Sequence, residues 1–235
     1  MINLTNDSFG LIKFGKESWL RNIKSGKLWF RTLEYYQEYE GNDNIGDKNE
    51  GVSHIIHTNK DTRLYYSYFS NGNTKSIDFS DSTVPFYLFP RYNRQIFILC
   101  LSYLSVSDII NKTIFDDSIT EVSDWVSAFF PLDPIEFVNM IKNSLASFNV
   151  KFVKIQYVDY NIDQHNMNYF TKSSKYKHQK EVRVAFCLSD KMTQNMISID
   201  DNTIEVNLNK DIEGIIIPTN TFREGFSIEK EEEEQ

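Results

Sequence analysis

The sequence has few of the residues that mark several protein classes. It holds two cysteines and four histidines in 235 residues, and neither cysteine has a Cys or His neighbour at chelate spacing. Cys100 and Cys187 lie within apolar runs, so we expect small core residues and predict neither a disulfide nor a metal site. No apolar run reaches the ~18 to 20 residues of a membrane helix, and residues 1–13 have no signal-peptide pattern. The sequence therefore predicts a cytoplasmic protein without a membrane partner.

The sequence also lacks a glycine-rich phosphate loop, a nucleophile elbow and a cysteine-pair motif, which disfavours ordinary kinases, hydrolases and zinc proteins. The net charge of −8 disfavours a broad basic surface for nucleic acid. Residues 229–235 contribute −4 of that charge, from five Glu and one Lys, and we predict a disordered acidic tail there. The rest of the chain, residues 1–228, is long enough to form one domain with a sizeable core.

Aromatic residues are abundant instead, at 14% of the chain, and they suit both strands and stacking surfaces. Short segments rich in β-branched and aromatic residues predict strands at residues 11–14, 27–32, 52–57, 63–69, 96–101, 150–158, 181–187, 203–208 and 214–217. Residues 71–90 contain turn residues and two prolines without a clear period, so we predict a long loop or an insertion there.

Three helices are expected, one early and two in the middle of the chain. The first covers residues 16–24 and ends at Gly26. The second is predicted from the helical spacing of four apolar residues, Val122, Trp125, Val126 and Phe129. The third begins with an N-cap and a proline, Asp133-Pro134, and its apolar stripe consists of Ile135, Val138, Ile141 and Leu145. The predicted fold class is α+β, a single domain with a mainly antiparallel or mixed sheet.

The densest polar segment of the sequence covers residues 31–51. It contains the adjacent tyrosines Tyr35 and Tyr36, and it ends with two acids, Asp47 and Glu50, bracketed by glycines. Glycines at such positions force turns and let a backbone approach a ligand closely. The acids therefore either bind a ligand, for example through its hydroxyl groups, or belong to a polar surface turn. Their spacing is too sparse for a calcium loop.

A second polar segment covers residues 169–183. It begins as a basic, aromatic loop that includes Tyr176 and Lys177, and it continues into a strand. The strand period of two places three polar side chains on one face, Gln179, Glu181 and Arg183. Such a face needs partners, so these side chains either pair with a neighbour such as Arg31 or line a cleft. Together with residues 91–94, the loop offers cations and rings that would neutralise and stack on a phosphorylated ligand.

Several short motifs occur in a recognisable order, namely Gly26-Lys-Leu-Trp-Phe30, Tyr35-Tyr-Gln-Glu-Tyr-Glu40, Gly46-Asp47 with Glu50-Gly51, Ile155-Gln-Tyr157 and Gln179-Lys-Glu-Val-Arg183. In this order they resemble a family of poorly characterised proteins from Gram-positive bacteria, mobile elements and phages. The resemblance covers most of the chain. From a protein of this kind we expect an accessory role for a phage or mobile element in phage-host conflict, directed against host defence and involving a nucleotide ligand.

A second resemblance is to ADP-ribosyltransferases, which carry an early-strand arginine, a middle-strand serine motif and a late Gln-x-Glu or Glu-x-Glu motif. The matching positions here are Arg31, Ser102 and Gln179-Lys-Glu181. The resemblance implies that Arg31 holds the NAD pyrophosphate and that Ser102 braces the nicotinamide pocket. It also implies that Glu181 stabilises the oxocarbenium charge while Gln179 orients the acceptor. The serine motif departs from the family pattern, because Ser102 is followed by Tyr and Leu.

Two functional hypotheses follow from these patterns. The first is an enzyme that acts on NAD or another nucleotide, with Glu181 as its essential acid. The second is a binding protein without chemistry, which either sequesters a nucleotide signal or blocks a host immune protein. Both predict a nucleotide-type ligand or a host protein as the partner, and neither fixes the oligomeric state.

Overall fold

The computed structural model describes residues 8–38, 47, 49–57, 65–70, 73–78, 84–89, 95–110, 126–130, 134–188 and 195–218. Among these residues, no helix combines the length and the apolar character needed to cross a bilayer. The predicted acidic tail and residues 91–94 lie outside the described residues.

The described elements are short helices and strands. Their bounds, in chain order, are β1 (Ser8–Gly15), α1 (Glu17–Lys24), β2 (Lys27–Thr32), α2 (Leu33–Glu38), β3 (His54–Ile56), β4 (Tyr65–Ser70), β5 (Asn73–Asp78), β6 (Phe86–Leu88), β7 (Ile96–Ser105), α3 (Val106–Ile110), β8 (Val126–Phe130), α4 (Pro134–Ser144), β9 (Lys151–Lys154), β10 (Gln156–Val158), β11 (Thr171–Ser173), a 3₁₀ helix (Ser174–Gln179), β12 (Glu181–Cys187), β13 (Met196–Asp200), β14 (Thr203–Asn207) and β15 (Ile215–Pro218).

Nine of these strands form one antiparallel sheet, which confirms the predicted α+β class. The order along the sheet is β13-β14-β2-β7-β1-β8-β15, and β12 pairs with β7 and with β9. The remaining described strands form three small pairs, β3 with β6, β4 with β5, and β10 with β11. Only the last of these pairs is parallel among the described strands.

Strand β7 is the branch point of the large sheet. One edge of β7 pairs with β12 from Ile96 to Ser102. The other edge is shared by two strands, because β2 pairs around Ile98 and β1 pairs from Ser102 onward. We call the intervening stretch of β7, residues 99–101, the fork. Since β1 and β2 separate at the fork, a space opens between them on this edge of the sheet.

An apolar core covers one face of the large sheet. Helix α1 contributes Leu20 and Ile23, and helix α4 contributes Phe137 and Ile141. In β12 the alternate residues Val182, Val184 and Phe186 belong to this core, as the strand period predicts. The opposite face of β12 carries Glu181 and Arg183, so the predicted division of this strand into an apolar and a polar face is confirmed.

The second predicted helix is wrong where it can be compared. Val126–Phe130 is strand β8, which pairs with β1 on one side and with β15 on the other. Strand pairing on both edges satisfies the backbone of this segment and outweighs the helical spacing of its apolar residues. The first two residues on which that helix was predicted, Val122 and Trp125, lie outside the described residues.

Two further expectations need correction. Helix α4 forms as predicted, but Ile135 is exposed and Phe137 takes its place on the buried face. The segment 71–90, predicted to be a long loop or an insertion, contains β5 and β6, which pair with β4 and β3 respectively, so the loop alternative is wrong for these strands. The residues of β5 and β6 show no clear period. Their strand conformation depends on pairing, for β5 with the adjacent β4 in a hairpin and for β6 with the distant β3.

Gly26 ends helix α1, as predicted, with a positive φ of 75°. A Cβ at this position would lie 2.3 Å from the backbone oxygen of Lys210. The chain thus reverses here in a conformation and a space that suit glycine alone. This tight turn sends the chain from α1 directly into β2, which carries part of the site described next.

Candidate functional site

Four charged side chains form a buried network on the polar face of β12. We call Glu50, Lys172, Glu181 and Arg183 the charge cluster. Arg183 donates from Nε to Glu181 Oε1 at 2.5 Å and from Nη2 to Glu50 Oε1 at 2.7 Å. Lys172 donates to Glu181 Oε2 at 3.0 Å. Arg183 is 0% exposed and Glu181 is 4% exposed, so these charges are almost completely removed from water.

Neutral groups complete the hydrogen bonding of the charge cluster. The third branch of the Arg183 guanidinium, Nη1, donates to the Tyr169 backbone oxygen at 2.5 Å. Lys172 also donates to Gln179 Oε1 at 2.8 Å. The Tyr157 hydroxyl accepts from the Glu181 backbone N–H at 2.8 Å. Buried charges are stable only when paired and hydrogen-bonded in this way, which is the condition that the cluster meets.

The two acids of the charge cluster differ in how burial and neighbouring charges shift their pKa. Burial disfavours the ionised form of Glu181, but the charges of Arg183 and Lys172 outweigh burial and hold the pKa of Glu181 well below its usual range. For Glu50, burial outweighs the attraction of Arg183, so the pKa of Glu50 is raised. Glu50 is therefore the acid of the cluster that takes up a proton first as the pH falls.

The loop that carries Asp47 and Glu50, which the sequence brackets with glycines, brings Glu50 to the cluster. Gly51 has a positive φ of 74°, and a Cβ there would lie 2.5 Å from Leu33 Cδ2. The Glu50 backbone oxygen accepts from Gln37 Nε2 at 2.5 Å. Leu33 and Gln37 both belong to α2, so the loop and α2 are held against one another. The acids of this loop are part of a buried structure and do not form a polar surface turn.

A cleft opens beside the fork, with residues of both α1 and α2 in its lining. Its volume is about 130 Å³. Three cations line it, Lys13, Lys27 and Arg31. Five aromatic side chains also line it, Phe14, Trp19, Trp29, Tyr35 and Tyr36. We call this space the aromatic-basic cleft. None of the described residues that line it is acidic, so its positive charge is not neutralised from within the lining.

Lys13 makes a hydrogen bond and Arg31 makes a cation–π contact beside the cleft. Lys13 donates from Nζ to the Cys100 backbone oxygen at 2.8 Å, at the fork, where that carbonyl lies between the pairings of β1 and β2. The Arg31 guanidinium lies 3.9 Å above the centre of the Tyr35 ring. A guanidinium stacked by its face keeps its N–H edges available to an anion.

The aromatic side chains form the other part of the cleft wall. The rings of Trp19 and Trp29 lie 6.4 Å apart, centre to centre, and are tilted by 49°. Trp29 is fixed by a hydrogen bond of 2.9 Å from its Nε1 to Glu205 Oε2. Trp19 is more exposed, at 38%, so one face of the tryptophan pair is open to solvent. Such rings offer stacking surface to a planar ligand.

Cys100 and Tyr36 separate the cleft from the charge cluster. Tyr36 lines the cleft and its ring packs beside Cys100 on the β7 face that carries Ile98. Burial, followed by the negative charge of Glu181, raises the pKa of the Cys100 thiol to about 12. The thiol is therefore neutral at physiological pH. Glu181 thus lies behind the wall of the cleft and not within its lining.

The structure divides the predicted site residues into two groups. Arg31, Tyr35 and Tyr36 line the cleft. Glu50, Glu181 and Arg183 belong to the charge cluster. The polar face of β12 therefore pairs with Glu50 and Lys172, and not with Arg31, the neighbour named in the prediction. Gln179 ends the 3₁₀ helix and is not part of the strand, although it still contacts Lys172.

The other predicted residues lie around the cluster. Ser102 donates from Oγ to the Gln179 backbone oxygen at 2.8 Å. Tyr176 is buried, with Lys172 Nζ 4.7 Å from its ring centre. Asp47 is buried, and its Oδ2 has no hydrogen-bond partner among the described residues. Lys177 is exposed and lines neither the cleft nor the cluster.

Sequence reasoning missed Lys13. The available signal was a single lysine between Ile12 and Phe14 in an otherwise apolar strand, where a charged side chain needs a reason. Its role became visible only when the separation of β1 and β2 was known, because no local pattern indicates that separation.

Among the described residues, no group of three or more His, Cys, Asp or Glu side chains is arranged to hold a metal ion. A comparison of the chain with protein-family models, curated proteins and solved structures finds no match.

Proposed function

We propose that the protein binds a nucleotide-type small molecule in the aromatic-basic cleft and holds it without covalent chemistry. The observation that carries this proposal is the lining of the cleft, which combines three cations and five aromatic rings with no acid among its described residues. A planar base would stack on the rings, and an anionic group would face the cations. Ligand sites commonly combine such an apolar wall with a few polar groups that fix orientation.

The size of the cleft narrows the proposal. Its volume of about 130 Å³ lies below the roughly 300–1,000 Å³ of sites that enclose a drug-sized ligand. One ring or one phosphoryl end fits inside, whereas a complete dinucleotide such as NAD would extend into solvent.

Transfer of ADP-ribose receives less support than binding. That activity requires the Glu181 carboxylate to face the sugar of the substrate. Both oxygens of Glu181 instead accept hydrogen bonds from buried cations, Arg183 and Lys172. The role in phage-host conflict, and the blocking of a host protein, stay predictions from the resemblance.

A titration of the protein with AMP, ADP-ribose and NAD tests the proposal. We expect at least one of them to bind and to be recovered unchanged by mass spectrometry. Arg31→Gln should weaken binding by about tenfold or more, since a hydrogen bond to a charged group contributes about 1.5–3 kcal/mol. The matched control is Arg21→Gln on the outer face of α1, where Arg21 pairs only with exposed Glu17 among the described residues. This control should bind normally.

Two results would contradict the proposal. One is the absence of binding for all three compounds. The other is release of nicotinamide from NAD, or labelling of a target, that disappears in a folded Glu181→Gln variant. Labelling of a target would establish the transferase hypothesis, whereas release of nicotinamide alone would establish cleavage of NAD.

A further inference from the structure

We infer that Lys13 selects for a phosphoryl group: the phosphate of the ligand enters the cleft at the fork and binds between the Lys13 ammonium and the Arg31 guanidinium. This inference rests on the proposed function and specifies its ligand as a phosphate monoester joined to a planar base. Neither the polar motifs of the sequence nor the resemblances include Lys13.

The position of Lys13 leaves hydrogen-bonding capacity unused. An ammonium group has three N–H donors. The described residues supply one acceptor, the Cys100 backbone oxygen at 2.8 Å. Lys13 also lines the cleft, and its side chain is part-buried there. A part-buried ammonium group with one acceptor is stabilised by a further acceptor that enters this space.

The charges around Lys13 favour an anion there. Burial lowers the pKa of Lys13, and the like charge of Arg31 acts in the same direction, while Cys100 and Glu181 act against it. Glu181 does not neutralise Lys13 directly, because its two oxygens accept from Arg183 and Lys172. An anion between Lys13 and Arg31 would therefore relieve the repulsion of two cations in a partly desolvated space.

The geometry of the two cations fits phosphate better than carboxylate. The Arg31 guanidinium lies over the Tyr35 ring, 3.9 Å from its centre, and a guanidinium can offer two parallel N–H donors to one phosphate. Lys13 supplies a compact point charge from the neighbouring strand. A phosphate monoester carries up to two negative charges and three terminal oxygens, so it neutralises both cations and accepts from both, whereas a carboxylate carries a single charge on two oxygens.

Calorimetric titration of the wild type, Lys13→Met and Lys16→Met with adenosine, AMP and inorganic phosphate tests the inference. We expect wild type to bind AMP about tenfold or more tightly than adenosine, since a single phosphate contact of this kind is worth a factor of ten or more. Lys13→Met should weaken AMP binding several-fold with a smaller effect on adenosine, so it reduces that preference while Arg31 retains part of it. Lys16→Met is the control, because Lys16 is an exposed lysine beside Trp19 that does not line the cleft.

A measurement on the wild type makes the test independent of how Lys13→Met folds. Acylation of lysine amines, followed by peptide mass spectrometry, should show Lys13 protected by AMP and by phosphate but not by adenosine. Equal weakening of AMP and adenosine in a folded Lys13→Met variant, or absence of phosphate-dependent protection, would overturn the inference. If adenosine and AMP fail to bind while inorganic phosphate binds and protects Lys13, the proposed function fails and the role of Lys13 stands.

Discussion

Replacement of Arg183 by methionine is the sharpest test of the charge cluster. The guanidinium is fully buried and donates to Glu50, to Glu181 and to the backbone oxygen of Tyr169. Methionine fills a similar length without charge. The substitution therefore leaves two buried carboxylates with Lys172 as their one remaining described cation, and it leaves a buried carbonyl without its donor.

The magnitude follows from the loss of one partner of a buried ion pair, which destabilises a protein by about 3–5 kcal/mol. That is a large part of the roughly 5–15 kcal/mol that separates a folded domain from its unfolded chain. With an m-value of about 2–3 kcal/mol/M, the urea midpoint should fall by about 1–2.5 M. Adding Glu50→Gln to Arg183→Met removes one of the stranded charges and should recover part of the loss.

The wild type and Arg183→Met should differ in how their stability depends on pH. In the wild type the pKa of Glu181 is lowered, so its contribution to stability is present at neutral pH and is lost as the pH falls below about 4.3, the unfolded value. In Arg183→Met, burial raises the pKa of Glu50 without the opposing charge of Arg183. Protonation of Glu50 then relieves the variant, so its deficit should shrink as the pH is lowered from neutral.

Urea unfolding followed by tryptophan fluorescence measures these differences. The matched control is Arg21→Met, which breaks an exposed pair with Glu17 on α1 and should change the free energy of unfolding by about 0.5 kcal/mol or less. A loss below about 1 kcal/mol for Arg183→Met, or a deficit that does not shrink toward lower pH, would refute the assignment of a tightly coupled buried network.

Two further predictions concern other parts of the fold. Gly26→Ala should destabilise the protein by about 1–3 kcal/mol, because its positive φ and the backbone oxygen 2.3 Å from a Cβ leave no room for relief. Gly15→Ala, where a Cβ meets only side chains at ordinary distance, should show a smaller loss in the same denaturation assay. Cys187 is exposed, so the expectation that it is a core residue is wrong. Iodoacetamide should alkylate Cys187 and spare Cys100, whose pKa is raised to about 12, as read by peptide mass spectrometry.

The sequence predicted the parts of the fold whose signals are local. The period of two in β12 and the proline start of α4 are written in neighbouring residues, and both features are confirmed. Val126–Phe130 was misread because its strand conformation depends on pairing with β1 and β15, which are distant in sequence. The partners of a buried charge are non-local for the same reason: Glu50 and Arg183 meet across 133 residues of chain.

The candidate site was predicted in its residue types and not in its arrangement. The acids and the arginine of the two polar segments come together, as the need to pair buried charges requires, but they do so behind the wall of the cleft. Two of the three cations that line the cleft, Lys13 and Arg31, lie on β1 and β2, the two strands that separate at the fork. That separation is a property of the sheet, so the segments did not reveal it individually.

The charge cluster and the cleft are connected through α2. The Glu50 side chain accepts a hydrogen bond from Arg183, and the Glu50 backbone oxygen accepts one from Gln37. The loop that carries Glu50 therefore supports the helix that carries Tyr35 and Tyr36, which line the cleft. A Glu50→Gln variant should therefore lose stability and ligand affinity together. Lys13→Met, outside the cluster, should lose affinity for the phosphorylated ligand alone. Because the two variants act through different contacts, the ratio of these losses separates a residue that positions the cleft from one that binds within it.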